Sequence, residues 1–290
     1  MQGALRCGTS GWLHSDWNSV VYPQIKPRGF HPLEYLSQHL ELVEIDSSFE
    51  RPLRPEVSKL WINKISQHPN FIFTALLGRQ FTHDRQLGPG SIREFKDGLW
   101  PLWNARKLGC LLMRFPWSFR FTKENRDFVI ELRRSFHEFP LVAEMRHDSW
   151  MLDEALGTLM DYRIGFCNVD QPAGARAMPA GATITSAVGY VRLLGRNGDD
   201  WTEERAAADY LYTPQELGAW QDRIDRLRTH TNATFVVAAN HAGGKAVVNA
   251  MQLQSMLRET ASPLRRRVPS MPPRRENLVP ISSAQMLLRA

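Results

Sequence analysis

The sequence predicts a single (β/α)8 TIM barrel at residues 1–260, followed by a basic tail at residues 261–290. Short β-type runs alternate with helix-length segments, and the runs number eight. Strands that alternate with crossover helices over about 250 residues are typical of this barrel. Neither a GxGxxG motif nor a Gly-rich phosphate loop follows the first run, which argues against a doubly wound open sheet, the main alternative.

The elements follow one another regularly along the chain. Strands are predicted at residues 5–12, 42–49, 71–77, 110–115, 141–147, 164–170, 189–195 and 234–240. Segments long enough for helices lie between them, at residues 32–40, 55–67, 92–108, 123–138, 150–162, 214–228 and 244–258. Residues 171–188 are rich in Gly, Ala and Pro and are predicted to form a loop.

The composition is that of an ordinary globular protein. The chain has 290 residues, of which 43% are hydrophobic and 23% charged, which excludes disorder, collagen and coiled coil. No apolar run reaches the roughly 18 residues of a membrane span and no signal-peptide pattern opens the sequence, so we expect a cytoplasmic protein without a membrane partner. Cys7, Cys110 and Cys167 lie in apolar runs without CxxC spacing and are predicted to be core residues.

The positive charge is concentrated in the tail. The formal net charge is +6, yet residues 261–290 hold six arginines and one acidic residue, so the barrel itself is almost neutral. Proline and arginine together are typical of a solvated or loosely docked extension. Nucleic acid or an acidic protein is the alternative partner for this tail, with stacking on exposed tryptophans. The tryptophans considered for that role are Trp12, Trp17, Trp117 and Trp150.

The strands place apolar and polar residues at alternating positions. Successive strand residues point to opposite faces, and the odd positions are apolar, as a face covered by helices requires. The even positions near the strand ends are predicted to point into the barrel; they are Glu44, Asp46, Arg114, Glu144, Arg146, Asn168, Asp170 and Arg192. Unpaired charges in a barrel interior are costly, and barrel enzymes build their sites at the C-terminal strand ends. The pattern therefore predicts a charged pocket there.

These residues occur in phrases that resemble the YecE-like family, also called domain-of-unknown-function family 72. The matching phrases are GTSGW (8–12), VEIDSSF (43–49), LGCLLMRFP (108–116), EMRHDSW (144–150), VDQP (169–172), YVRLLGR (190–196) and GGKAVVNAMQL (243–253). The resemblance covers about residues 5–260 and implies a TIM barrel with a polar pocket at its mouth. It implies no reaction, although some members are geometrically similar to endonuclease-IV-type barrels.

The sequence departs from this family at five positions around the expected pocket. Leu76 stands where the family pattern has a lysine, and Leu194 stands where it has a histidine. Glu50, Arg114 and His241 replace a tyrosine, a glutamine and an asparagine. Two explanations are open: either the substrate differs, or this member binds a ligand without catalysing a reaction.

The leading functional hypothesis is a site for a small anion. Arg114, Arg146 and Arg192 would converge on a phosphate or carboxylate. The structural alternative is a lattice of ion pairs that closes the barrel, with Glu144–Arg146 and Asp170–Arg192 as expected members. The two can coexist, so the sequence leaves open whether the protein is an enzyme.

Acid–base chemistry at this site would need further residues. The general base would be one of four carboxylates, namely Glu44, Asp46, Glu144 or Asp170. His83 and His147 are the candidates for proton transfer near neutral pH. Trp150 at the rim and Asn240, which precedes a Gly-rich turn into the last helix, are further expected substrate contacts.

A metal-dependent hydrolase of phosphoesters is the second hypothesis. Histidines and carboxylates at a barrel mouth are ligand types for zinc or manganese, which would activate water. No HxH, HExxH or DxH phrase fixes two ligands on one element, however. The sequence requires no cofactor and does not determine the oligomeric state.

Overall fold

The computed structural model describes residues 3–197 and 208–261. Eight parallel strands close into a barrel in chain order, and β1 pairs with both β2 and β8. The strands are β1 (Ala4–Ser10), β2 (Leu42–Ile45), β3 (Ile72–Leu76), β4 (Leu108–Arg114), β5 (Leu141–Glu144), β6 (Gly165–Asp170), β7 (Val188–Leu193) and β8 (Ala233–Ala238). The predicted (β/α)8 barrel is confirmed. The predicted tail lies, from residue 262 onward, outside the described residues.

In the described ranges, a helix follows each strand except β6, which is joined to β7 by the predicted loop. The helices are α1 (Pro32–Ser37), α2 (Pro55–Lys64), α3 (Arg79–Thr82), α4 (Pro89–Asn104), α5 (Lys123–Ser135), α6 (Asp153–Asp161), α7 (Pro214–His230) and α8 (Lys245–Ala261). Proline occupies the first turn of α1, α2, α4 and α7, where its fixed φ suits the helix and its missing N–H costs no hydrogen bond. The helix α3 was not predicted, because four residues show no readable helical period. No helix in the described ranges is both long and apolar enough to span a bilayer.

Short 3-10 helices follow four of the strands and shape the C-terminal end of the barrel. They are Ser15–Trp17 after β1, Ser47–Phe49 after β2, Asp148–Met151 after β5 and Ala242–Gly244 after β8. The segment 150–162, predicted as one helix, divides into the end of the third 3-10 helix and α6. These turns end the strands at the level where the polar side chains begin.

Strand register decides which side chains enter the barrel. Ser10 pairs with Glu44, Glu44 with Thr74, and Arg114 with Glu144, so these side chains share the inner face. The opposite face is mostly apolar; Leu193 of β7, for example, packs in a buried cluster with residues of α7. The three cysteines are buried and free, as predicted.

The predicted direction of the β6 side chains is wrong. Gly165 pairs with Val142 on the inner face, which places the odd residues of β6 inside the barrel. Asp170 pairs in register with Leu193 on the outer face, and Asn168 likewise faces outward. Both polar groups find partners there, so their burial outside the barrel carries no unpaired charge.

Candidate functional site

A cavity of about 500 Å³ opens at the C-terminal ends of the strands. Its polar lining comes from several strand ends and loops and comprises Ser10, His14, Asp46, Ser47, Glu50, Arg114, Arg146, Gln171, Arg192 and His241. Its apolar lining comprises Phe49, Leu76, Pro172, Leu194, Ala208 and Ala239. Both leucines that replace polar family residues therefore reach the cavity, as their position in the sequence predicted.

Arg192 forms the floor of the cavity by bridging two carboxylates. Its Nη1 donates to Glu144 Oε2 at 2.5 Å, and its Nη2 donates to Glu44 Oε1 at 2.9 Å. Both carboxylates are 0% exposed and Arg192 is 3% exposed. Burial of these charges is tolerable only because they are paired in good geometry.

Glu144 joins this bridge to a second arginine. Arg146 donates from Nε and Nη2 to Glu144 Oε1, at 3.1 and 2.9 Å. Burial acts to raise the pKa of Glu144, but Arg192, Arg146 and Arg114 outweigh it and lower the pKa to about 2. The predicted Glu144–Arg146 pair is confirmed, and Glu144 is ionised at neutral pH.

Glu44 is held by three donors. Ser10 Oγ donates to its Oε1 at 2.6 Å, beside Arg192, and the Tyr190 hydroxyl donates to its Oε2 at 2.7 Å. Burial, together with the charge of Glu44, raises the pKa of Tyr190, which therefore keeps its proton. The single Tyr190 proton goes to Glu44, so the Thr74 hydroxyl donates to Tyr190 at 2.8 Å. Tyr190 was not among the predicted site residues, although it shares the inward alternation of Arg192.

Two buried polar atoms at the cavity lack hydrogen-bond partners among the described residues. They are the Nε–H of Arg192, a donor, and the Oε1 of Gln171, an acceptor. The Nε2 of Gln171 donates to the Arg146 carbonyl at 3.4 Å, which fixes the amide in place. A buried polar atom without a partner costs about 1–3 kcal/mol, so these two atoms favour occupants that complement them.

Arg114 is the last residue of β4 and lines the cavity. Its guanidinium carbon stands 4.1 Å from the centroid of the Phe49 ring, within cation–π range. Arg114 is partly exposed, whereas Arg192 is buried. The three guanidiniums predicted to converge therefore do line one cavity, at different depths.

Asp46 and His14 form the part of the wall that follows β2 and β1. His14 Nε2 lies 3.0 Å from the Ser10 carbonyl, which can only accept, so Nε2 carries a proton. The rings of His14 and His241 stack in parallel with centroids 4.4 Å apart. Asp46 is partly exposed at the cavity. His14 was not predicted as a site residue, because no spacing in the sequence connects it to the other polar residues.

Asp170 is not part of the cavity lining, and its predicted pairing with Arg192 is wrong. Arg196 Nε and Nη2 donate to its two oxygens at 2.9 and 2.7 Å, and Trp220 Nε1 donates to one of them. Arg192 pairs instead with Glu44 and Glu144. The alternation of polar residues was read correctly in β7, but the register of β6 is shifted relative to it.

Glu44 and Glu144 are fully buried and do not line the cavity themselves, and four other predicted site residues also lie outside its lining. His147 precedes the Asp148–Met151 turn, and its Nδ1 accepts from the Ser149 N–H at 3.1 Å. Trp150 is buried, and its Nε1 donates to the Phe119 carbonyl at 2.8 Å. Asn240 is buried, and its amide donates to the Tyr210 carbonyl at 2.7 Å.

His83, the fourth of these residues, contacts the cavity wall. Its ring meets that of Phe49 edge-on, with centroids 5.3 Å apart, and Phe49 lines the cavity. Its Nδ1 lies 2.9 Å from the Thr82 hydroxyl. His83 therefore supports an apolar wall residue.

The described residues contain no group of three or more His, Cys, Asp or Glu side chains placed to hold a metal ion. Zinc or manganese stays a prediction from residue types. Trp12, Trp17 and Trp150 are buried, so the interpretation that they are exposed stacking surfaces is wrong. Trp17 Nε1 instead donates to the His241 carbonyl at 2.7 Å and joins the first loop to the last.

The fold and the cavity define a (β/α)8-barrel protein with a charged pocket at its C-terminal strand ends. A family model described as "Protein of unknown function DUF72" matches residues 6–275. The chain belongs to the DUF72 family.

Named relatives agree with this assignment. The chain is 27% identical over 270 residues to UPF0759 protein YunF of Bacillus subtilis (strain 168), which covers 86% of this chain and 93% of YunF. The crystal structure of a DUF72 family protein from Thermotoga maritima MSB8 is 28% identical, with a TM-score of 0.76, over 88% of this chain and 99% of that one. A DUF72 family protein from Enterococcus faecalis V583 shares the fold at 22% identity, with a TM-score of 0.76, over 88% and 95%.

Proposed function

We propose that the cavity binds a small organic anion, with a phosphate or carboxylate held by the guanidiniums of Arg114, Arg146 and Arg192. Arginine suits this role because its planar fork matches the oxygens of either group. The ion pairs on the floor and the binding of an anion above them are compatible. Glu44 and Glu144 hold Arg192 and Arg146 rigidly in position, which lowers the entropy cost of binding.

The observation that carries this proposal is the unpartnered Nε–H of Arg192. Both of its Nη groups are used by carboxylates, and the guanidinium is buried, yet Nε has no partner among the described residues. A ligand oxygen beside Nε would complete the hydrogen bonding of this group. Because the donor is charged, such a hydrogen bond is worth about 1.5–3 kcal/mol.

The remaining lining residues indicate the chemistry of the rest of the ligand. Phe49, Leu76 and Leu194 give the cavity an apolar wall, which favours a short aliphatic chain next to the anionic group. The Oε1 of Gln171, which has no partner among the described residues, can accept a hydrogen bond from a hydroxyl on the ligand.

Asp46 is the carboxylate best placed for acid–base chemistry in this cavity. Glu144 is paired with two arginines and has a pKa of about 2, which makes it a weak base. Glu44 is committed to Ser10, Arg192 and Tyr190. Asp46 faces the cavity beside His14 and forms no ion pair with the described residues. In this proposal Asp46 takes or returns a proton on the bound anion.

Isothermal titration calorimetry tests the binding step. Acetate, lactate, hexanoate, inorganic phosphate and glycerol phosphate are titrated in turn, so that carboxylate and phosphate are distinguished. At least one is expected to bind with a Kd of about 1 mM or lower. Arg114→Leu is expected to weaken that binding about tenfold, because it removes a charged, partly exposed donor from the cavity wall.

Arg134→Leu is the matched control, since it removes the same charge from an exposed position on α5. It is expected to leave binding unchanged. Absence of binding by all five anions at about 10 mM, or equal losses in both variants, would overturn the proposal.

A further inference from the structure

A second concave surface, the rim cleft, lies outside the cavity and has a volume of about 720 Å³. It is lined by Trp117, Arg120, Phe121, Thr122, His147, Ser149, Ala175 and Arg176. None of these residues lines the cavity: Arg146 faces the cavity, and its neighbour His147 faces the rim cleft. The cleft is therefore a separate place on the molecule.

The hydrogen bonds of His147 determine where its ring proton lies. The Ser149 N–H, which can only donate, donates to His147 Nδ1 at 3.1 Å. Ser149 Oγ accepts from the Phe121 N–H at 2.8 Å and lies 2.9 Å from the same Nδ1. Nδ1 is therefore an acceptor, so the proton of the neutral ring is on Nε2.

The Nε2–H of His147 is available to a ligand. All hydrogen bonds of this side chain are made by Nδ1, and Nε2 has no partner in the described part of the chain. Burial lowers the pKa of His147, Arg120 and Arg176 act in the same direction, and Asp148 opposes them, so the ring is neutral at neutral pH. The side chain is 4% exposed, which leaves it a fixed donor at the wall of the cleft.

The charged and aromatic groups of the cleft complement a particular kind of ligand. Among the described residues, the charged side chains that line it are Arg120 and Arg176, and Arg176 also pairs with Asp148 at 3.3 Å. The guanidinium carbon of Arg120 lies 5.3 Å from the centroid of the Trp117 ring, and the rings of Trp117 and His147 are 5.3 Å apart. Phe121 adds a further aromatic surface. Arginines beside aromatic rings favour an anionic group joined to a planar ring.

We propose that the rim cleft is a second ligand site, which binds a phosphate linked to a planar heterocycle, as in a nucleoside monophosphate. The phosphate lies near Arg120 and Arg176 and accepts the Nε2–H of His147, and the heterocycle packs on the aromatic side chains. The volume is within the range of sites for ligands of this size, about 300–1,000 Å³. This site does not depend on the function proposed for the cavity.

Calorimetric titration with AMP, adenosine and inorganic phosphate tests the site. AMP is expected to bind at least about tenfold more tightly than adenosine or phosphate, because only AMP supplies both parts. Arg120→Ala and His147→Asn are each expected to weaken AMP binding about tenfold. Asparagine keeps an acceptor for the Ser149 N–H but lacks the ring Nε2–H, so it separates ligand binding from the local turn.

Arg134→Ala is the charge-matched control and is expected to leave AMP binding unchanged. Three results would overturn the proposal. The first is that AMP fails to bind at millimolar concentration. The second is that AMP binds to Arg120→Ala and His147→Asn with the same affinity as to the unaltered protein. The third is that Arg114→Ala abolishes AMP binding, which would place the nucleotide in the cavity.

Discussion

Replacement of Arg192 by methionine is expected to destabilise the fold strongly at neutral pH. Glu44, Glu144, Arg146 and Arg192 together carry no net charge, and the two carboxylates are 0% exposed. Without Arg192, Arg146 still neutralises Glu144, so one buried carboxylate charge is left uncompensated. Removing one partner of a buried ion pair costs about 3–5 kcal/mol, and we expect a loss of that size.

Equilibrium unfolding in urea, followed by circular dichroism at pH 7, measures this loss. Arg258→Met is the control, because Arg258 is 64% exposed and its pair with Glu41 lies on the surface, where such pairs contribute about 0–1 kcal/mol. A loss of unfolding free energy in Arg192→Met below about 1 kcal/mol, or no larger than the loss in Arg258→Met, would contradict this expectation. Lowering the pH should reduce the difference in unfolding free energy between Arg192→Met and the unaltered protein, since protonation of a buried carboxylate removes the uncompensated charge.

Two further predictions concern stability. The pKa of Glu144 is lowered from 4.5 to about 2, so its contribution to the free energy of unfolding is fully present above pH 4.5 and is lost as the pH falls through about 2. Urea titrations over this pH range should show the loss of stability. Glu144→Gln should remove the part of the acid dependence that comes from this residue. Gly98→Ala in α4 would place a Cβ 2.1 Å from the Leu53 carbonyl oxygen and should destabilise the fold by about 2 kcal/mol or more. The Cβ of Gly218→Ala in α7 would meet no atom within 4 Å, so this variant should stabilise the fold by about 0.5–1 kcal/mol. Equal unfolding midpoints in urea for the two variants would contradict this contrast.

The barrel could be predicted because its elements repeat regularly. Eight apolar runs separated by helix-length segments fix the fold class, and each predicted strand is present. The exact ends of the strands and helices were harder to predict, because the turns after the strands depend on side-chain contacts such as that between His147 and the Ser149 N–H. The helix α3 was missed because a single turn leaves no periodic pattern.

The interior polar residues could be predicted only in part. Alternation within β2, β4, β5 and β7 identified Glu44, Arg114, Glu144 and Arg192 correctly. The same alternation in β6 gave the wrong face for Asp170, because both faces of a barrel strand are buried and a polar residue can find a partner on either side. Only the register against the neighbouring strands distinguishes the two faces, and the alternation within a single strand does not report that register.

Loop residues were the least predictable part of the site. His14 and Gln171 reach the cavity from segments after β1 and β6, where no period relates residue position to direction. The stacking of His14 on His241 joins residues from the first and last loops, which become neighbours only when the barrel closes. Closure is a long-range property that local sequence patterns do not report.

Side-chain NMR of Arg192 tests the central claim, anion binding in the cavity, most directly. In protein labelled with ¹⁵N-arginine, the Nε–H signal of Arg192 is assigned by its loss in Arg192→Lys and followed during titration with inorganic phosphate and with hexanoate. At least one of the two anions is expected to shift this signal saturably, because the Nε–H gains an acceptor. A signal unchanged by both anions up to about 20 mM would contradict it.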